Sequence, residues 1–428
     1  MAFFNPLSRA FGLDIGDRTF KVAQIAKLRR RAKMPYRLTA WGSISVPEGV
    51  MDKGEVQNMA DAAEFVGRLV SETRGLKGRG VVACLPEAKS FVKLVEIEKE
   101  AKDADIQRLV IKEIEQNIPL KFDEIYYDWQ LIEDAPPPKP EAETPPPAEK
   151  AGDDEGADAE DDAEGPAADA EDGGAETAAE PEETAPEDGP EKEPAVKPTR
   201  DPGKVRVLIA AAPKKIIDDY AQMLETAGLA PLAFEIEAVA IARAIVPLDE
   251  DFYDPIGILD LGATRSSLVI YDEGVLQMSI SIPISGHELT KLVSDKFNIS
   301  EKDAELVKIE CGLDATRCED RMWKIMLPVI DDMSSKIRNA LRFYKIGFQM
   351  GKKIERLYLC GGGAHFREID TVLSRKLTIK VRPGDALVNI RKPRSFEDAK
   401  SLTYTTAIGL ALRAADESEK YRGSFLHI

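Results

Sequence analysis

No stretch of the 428 residues approaches the roughly 18 consecutive apolar residues that a membrane-spanning helix needs. Residues 1–11 are only briefly apolar and lack the layout of a signal peptide, so the chain is expected to stay in the cytoplasm. Histidine is scarce: His287, His365 and His427 are too few for a His-rich metal centre or a His-based triad. Four cysteines (Cys84, Cys311, Cys318 and Cys360) are spaced like no zinc or redox motif, and are expected to be reduced, mostly buried thiols. Positive charge is not in surplus, with 58 Lys and Arg against 76 Asp and Glu. A protein that binds nucleic acid by releasing counterions is therefore excluded as the default.

The acidity sits in one place. Residues 135–200 hold 22 acidic and 5 basic residues, which leaves the rest of the chain with a net charge of only −1. That stretch has no aromatic residue and no Leu, Ile or Met; Val196 is its single large aliphatic. Such a composition cannot bury enough apolar area to offset its ordering entropy, and it is expected to be an extended insertion in a loop. The basic run at 27–33 is expected to be a solvated hairpin tip.

Strand and helix signals alternate on both sides of the insertion. Strands are expected at 81–85, 91–97, 125–132 and 205–211. A helix begins at Asp103, carries Ile106, Leu109, Val110, Ile114 and Ile118 on one face, and is stopped by Pro119. Another runs over 213–227 and ends at Gly228. A second α/β unit has strands at 256–261, 267–271, 276–282, 356–360 and 378–381. Its helices are expected at 288–297, 301–310, 322–347, 366–375 and 404–414. The pattern is that of an α/β chain with two lobes.

A short repeat carries the chemistry. Residues 11–25 and 257–271 both read as an apolar strand, Asp, an aliphatic residue, Gly, a small polar turn and a second apolar strand. The aspartates are Asp14 and Asp260; the glycines are Gly16 and Gly262. Turn N–H groups can form a nest for phosphate oxygens, with hydroxyls from Thr19, Thr264 and Ser266 as added donors. Lys21 can offset phosphate charge. Two such hairpins across a cleft would put Asp14 and Asp260 on either side of a triphosphate, where a pair of carboxylates suits a hydrated Mg²⁺. One Asp-x-Gly alone is an ordinary turn signal; two matched copies, one per lobe, favour phosphate.

Two further elements extend the pattern. The strand ending at Cys360 runs straight into Gly361, Gly362 and Gly363, a bare backbone on which a flat base or an α-phosphate can lie near a helix. Glu305 and Lys308, three apart, share a helix face, where the carboxylate can accept from ribose hydroxyls.

These residues resemble the actin, Hsp70 and sugar-kinase superfamily. Residues 404–411 look like its second connecting helix and 235–244 like its first. Within the superfamily, the stretch from Pro283 through Gly286 and His287 to Thr290 resembles one shared by FtsA-type and PilM-type proteins, and 109–119 with Tyr127 and Asp128 looks like the extra subdomain of the PilM family.

The resemblance implies an actin/Hsp70-like two-lobe fold of duplicated ribonuclease H-like units with an inserted FtsA-like subdomain. Residues 1–78 would begin the first lobe and 79–230 would form the inserted subdomain, interrupted by the acidic loop 135–203. Residues 231–400 would form the second lobe, with an inter-lobe helix at 234–246, and 401–428 would return to the first. It also implies ATP and Mg²⁺ held by Asp14, Gly16, Asp17, Thr19 and Lys21 from one side and Asp260, Gly262, Thr264, Ser266 and Ser267 from the other. Gly286, Glu305, Lys308 and Gly361–Gly363 would take the nucleoside. Asp17 stands where the family carries a small hydroxyl residue, and His287 replaces a second glycine.

The implied role is that of an actin-like ATP-binding scaffold for type IV pilus assembly, with weak or no ATPase activity. It would bind the cytoplasmic N-terminal segment of a PilN-type membrane protein and so meet a PilO/PilP platform at the inner membrane. Pilus motor ATPases and a second copy of the chain are further candidate partners; nucleic acid is not. The alternatives are an FtsA-like filament protein, for which 417–428 lacks a sustained apolar face, and a small-molecule kinase. The kinase reading lacks a convincing base, Glu237 being a candidate only for positioning water or metal.

Overall fold

The computed structural model describes residues 9–28, 34–98, 103–118, 120–132, 203–247, 255–347 and 352–415, which fall in one compact unit. The acidic stretch 135–200, residues 29–33 of the basic run, Pro119 and the segment 417–428 lie outside them.

Two sheets share one topology. In the first, Phe11–Ile15 pairs antiparallel with Thr19–Lys27 and parallel with Gly80–Leu85. Gly80–Leu85 is followed by parallel Ala230–Ile236, and Tyr36–Ser45 lies antiparallel on the far side of the hairpin. In the second, Ile256–Leu261 pairs antiparallel with Ser266–Asp272 and parallel with Arg356–Cys360. Lys380–Pro383 and Val275–Ile282 complete the same order with the same directions. The repeat read at 11–25 and 257–271 is thus the opening hairpin of a duplicated unit. Phe11–Ile15 is buried along its whole length, as a strand covered on both faces must be.

A third, antiparallel sheet joins Phe91–Glu98, Lys204–Pro213 and Ile125–Ile132. Its strands pair across the insertion, and the helix Asp103–Asn117 buries Ile106, Val110 and Ile114, four residues apart, in the same small core. Residues 79–230, read as one unit, are shared between sheets: Gly80–Leu85 lies in the first large sheet, and the helix Lys214–Thr226 packs on Met59–Glu72 in the first lobe's core.

The lobes are tied by two helices, Glu237–Ile245 and Thr405–Ala415. They cross so closely that a Cβ on Gly409 would lie 1.9 Å from the Ala240 carbonyl oxygen. The first helix begins at Glu237 and not at 235, because Glu235 and Ile236 still pair with Cys84 and Leu85 in the sheet.

The cysteine expectation needs correction. Cys311 and Cys318 form a disulfide with Cα atoms 5.9 Å apart, while Cys84 and Cys360 are free and buried. Gly312, at φ +57°, ends the helix Glu301–Cys311 and turns the chain so that Cys318 returns to it.

Candidate functional site

The two hairpin turns face one cavity of about 380 Å³. In the first hairpin the antiparallel register sets Asp14 directly opposite Lys21, and their side chains form an ion pair at 2.9 Å. In the second, Asp260 stands opposite Ser267. Both aspartates, Lys21, Gly16, Thr19, Gly262 and Thr264 line the cavity.

Each aspartate has a thiol beside it on the adjacent parallel strand. The Cys84 Sγ donates to Asp14 Oδ1 at 3.6 Å, and the Cys360 Sγ to Asp260 Oδ1 at 3.5 Å. Burial pushes both thiols well above their ordinary pKa, and the neighbouring carboxylates add to it, so both remain protonated donors. Sequence reasoning assigned neither cysteine to the site; the duplicated topology is what places both there.

Buried carboxylates crowd this cavity. Burial, then the charge of Asp14, lifts Asp260 to about 6. Burial, then the charge of Asp260, lifts Glu237 to about 8. Burial pulls Lys21 toward its neutral form, but Asp14 and the charges of Asp260 and Glu237 outweigh it and hold the ammonium above the ordinary lysine value. Arg265, in the second turn, lines the same cavity and is held charged against burial by Glu237 and Asp17. It was also missed from sequence, where an arginine in a turn reads as solvated.

Like charges this close favour a cation. Among the described residues no three His, Cys, Asp or Glu side chains converge as a metal cage. The donor set therefore fits a hydrated Mg²⁺ held by one or two carboxylates and by phosphate oxygens, and not a fully protein-ligated ion.

The protonation of Asp260 and Glu237 makes a stability prediction. Their folded values, about 6 and about 8, lie above the ordinary 3.8 and 4.5. The folded chain thus holds protons that the unfolded chain has lost. Their contribution is fully present below the unfolded values and fades as pH rises through the folded ones. The thermal midpoint without ligand is expected to fall between about pH 5 and about pH 8, and Mg²⁺ should narrow that fall. Melting curves across this range check it; a midpoint that rises over it contradicts the assignment.

The remaining predicted residues divide. Asp17 is buried: its Oδ1 accepts the Gly54 N–H at 2.8 Å, and its Oδ2 accepts the Thr264 hydroxyl, from the opposite turn, at 2.6 Å. Ser266 donates to the Ile284 carbonyl, and neither it nor Ser267 lines the cavity. Gly361, at φ +79°, presses on Asp260, where a Cβ would meet Oδ1 at 2.4 Å; Gly362 faces open space. A second cavity of about 660 Å³ shares Gly262 and Gly362 with the first and is lined by Gly363, Gly286, Glu305 and Lys308. There Lys308 donates to Glu305 and to the Thr290 hydroxyl, both at 2.7 Å, and to the Gly286 carbonyl at 3.0 Å. The Gly286 and His287 N–H groups bond the carbonyls of Gly262 and Ala263, which seats the start of helix Gly286–Phe297 on the second turn.

A family model described as type IV pilus assembly protein PilM matches residues 12–144 and 195–415. A solved structure titled PilM-PilN type IV pilus biogenesis complex is 21% identical, covers 95% of this chain and 99% of that one, and superposes with a TM-score of 0.69. The ethanolamine utilization protein EutJ from Carboxydothermus hydrogenoformans is 13% identical over 94% of this chain and 89% of its own, with a TM-score of 0.47. MreB 5 of Spiroplasma citri bound to AMPPNP is 10% identical over 94% of each chain, with a TM-score of 0.43. The first likeness is one of fold, and it agrees with the duplicated actin-like architecture.

Proposed function

This chain belongs to the type IV pilus assembly protein PilM family, and from that premise we propose that it is a nucleotide-binding scaffold of a pilus assembly machinery. One observation carries the nucleotide part: an aspartate from each duplicated hairpin lines the same cavity, with Lys21 bonded to one and within the field of the other. In this reading Asp14 and Asp260 would hold a hydrated Mg²⁺, which supplies charge neutralisation to the polyphosphate of an adenine nucleotide. Gly16 and Gly262 let the turns approach phosphate, Thr19 adds a hydroxyl, and Lys21 adds a point charge; the Thr264 hydroxyl is given to Asp17. Gly361–Gly363, Gly286, Glu305 and Lys308 would take the nucleoside end.

The partner is the cytoplasmic N-terminal segment of a PilN-type membrane protein, through which the chain would join a PilO/PilP platform at the inner membrane. No helix among the described residues is long and apolar enough to cross a membrane. Ligand in the cleft biases how the lobes sit about the crossing helices, and so biases the peptide site by population shift. A tagged peptide of that N-terminal segment is expected to retain the full chain on a column, in an amount that changes when Mg–nucleotide is added. No retention under either condition would contradict the partner assignment.

A further inference from the structure

Among the described residues, the two most exposed large apolar side chains are Ile346 and Phe343, at 72% and 63%. Both stand in the last two turns of the helix Arg321–Gly347. A helix that turns by about 100° per residue orders its surface there as Lys345, Arg338, Arg342, Ile346, Asn339 and Phe343 along one continuous arc. Each of these residues is exposed, while Ile337, Ala340 and Tyr344 on the far side are buried in the second lobe. The helix end therefore has an inner face that belongs to the core and an outer face on which cations lead into an apolar pair.

The charge of this region has one sign. From Met333 to Ile354 the sequence holds six Lys or Arg and no Asp or Glu. Some of these cations are answered from outside the stretch: Lys336 pairs with Asp332 at 2.6 Å, and Lys353 lies 3.8 Å from Glu355. Lys352 lies 4.0 Å from Asp272, whose carboxylate also accepts the Tyr344 hydroxyl at 2.7 Å on the buried side of the helix. Arg338 donates to the Lys376 carbonyl at 2.9 Å. Arg342 and Lys345, nearest the apolar pair, have no carboxylate partner among the described residues. Screening limits surface attraction to about 8 Å, so this local excess decides what the face attracts, and not the net charge of −18.

Two apolar side chains are too few for the core of a stable protein interface, which buries about 1,200–2,000 Å². They suit a bilayer, where a ring and a branched chain can enter the acyl boundary while neighbouring Lys and Arg reach the phosphates of an anionic leaflet. We propose that the C-terminal end of helix Arg321–Gly347 is a contact surface for anionic phospholipid membrane, with Phe343 and Ile346 as the inserted pair and Arg338, Arg342 and Lys345 at the headgroups. This goes beyond the scaffold reading and rests neither on nucleotide nor on the PilN-type peptide. One such contact is weak by itself. Joined to a second tether it holds the chain far longer, because the second binding event becomes intramolecular.

Co-sedimentation of the full chain with extruded vesicles tests it, with no nucleotide and no partner peptide present. Vesicles of phosphatidylcholine with about one third phosphatidylglycerol are expected to bind the chain about tenfold or more better than phosphatidylcholine alone, and about 0.5 M salt should release it. Two double variants, Arg342→Glu with Lys345→Glu and Phe343→Ser with Ile346→Ser, should each weaken that binding about tenfold or more. All four side chains are exposed, so both variants should melt with the unsubstituted chain. Equal binding to the two kinds of vesicle, or none to the anionic one, overturns the proposal. Binding that survives the charge variant places the contact elsewhere, such as the basic run at 27–33, and overturns it as well. So does binding that survives the apolar variant, which is what passive attraction to any anionic surface gives. Polyglutamate beads that hold the chain when anionic vesicles do not would assign the face to an acidic protein instead.

Discussion

Replacing Glu235 with alanine is expected to destabilise the chain by about 3–5 kcal/mol, because it removes a fully buried carboxylate that two buried guanidiniums share. Glu235 is fully buried at the end of strand Ala230–Ile236. Both its oxygens take a nitrogen of the Arg243 guanidinium at 2.5 Å, and Arg413 approaches to 3.8 Å. Arg243 sits on the first crossing helix and Arg413 on the second. Burial, offset in part by Glu235 and deepened by the like charge of Arg243, holds Arg413 below the ordinary arginine value. One carboxylate therefore serves two buried guanidiniums beside the Gly409–Ala240 crossing, where Arg243 also donates to the Gly409 carbonyl at 3.2 Å. Since whole domains are stable by only about 5–15 kcal/mol, the variant should lose much of its margin. Urea unfolding reads this as a lower midpoint at similar slope; a shift worth less than about 1 kcal/mol would contradict the account of the triad.

Asp260→Asn has the second large expected effect, and it has two parts of opposite sign. Neutralising Asp260 removes a carboxylate that the proposed Mg²⁺ needs, and should weaken Mg–nucleotide binding about 100-fold. The same change removes the charge that raises Glu237 and that repels Asp14, so the ligand-free chain should melt no lower than the unsubstituted one. Asp14→Asn should also lose binding, but with a stability cost, because Lys21 keeps a half-buried ammonium and loses its 2.9 Å partner. Titration and melting of the two variants side by side separate these expectations. A residue that merely packs would give matched losses in both.

How much was legible depended on local chemistry. Asp14 and Asp260 could be found because each hairpin writes its strand, turn and Asp within fifteen residues. The helix Asp103–Asn117 announces itself by its apolar spacing. The strand Tyr36–Ser45 and the helix Met59–Glu72 went unread: the first alternates buried and exposed positions among polar residues, and the second buries only four residues, two of them the alanines Ala62 and Ala63. The contributions of Cys84 and Cys360 come from strands that meet the hairpins only in three dimensions, so no spacing in the chain records them; Arg265 sits inside the second turn, but the charges of Glu237 and Asp17 that hold it come from other elements. Asp17 was visible as a departure from the family pattern, but its bond to Thr264 required the two turns to be placed face to face. Ser266 matched the motif yet spends its hydroxyl on the Ile284 carbonyl, an outcome set by the strand that follows it.

If the two duplicated hairpins form one magnesium-nucleotide site, calorimetric titration of the unsubstituted full chain will reveal it. Adenine nucleotide is expected to bind at one site per chain when Mg²⁺ is present, and to bind far more weakly when the cation is withdrawn. Absence of saturable heat from both Mg–ADP and Mg–ATP, or binding that Asp14→Asn and Asp260→Asn leave untouched, would contradict it.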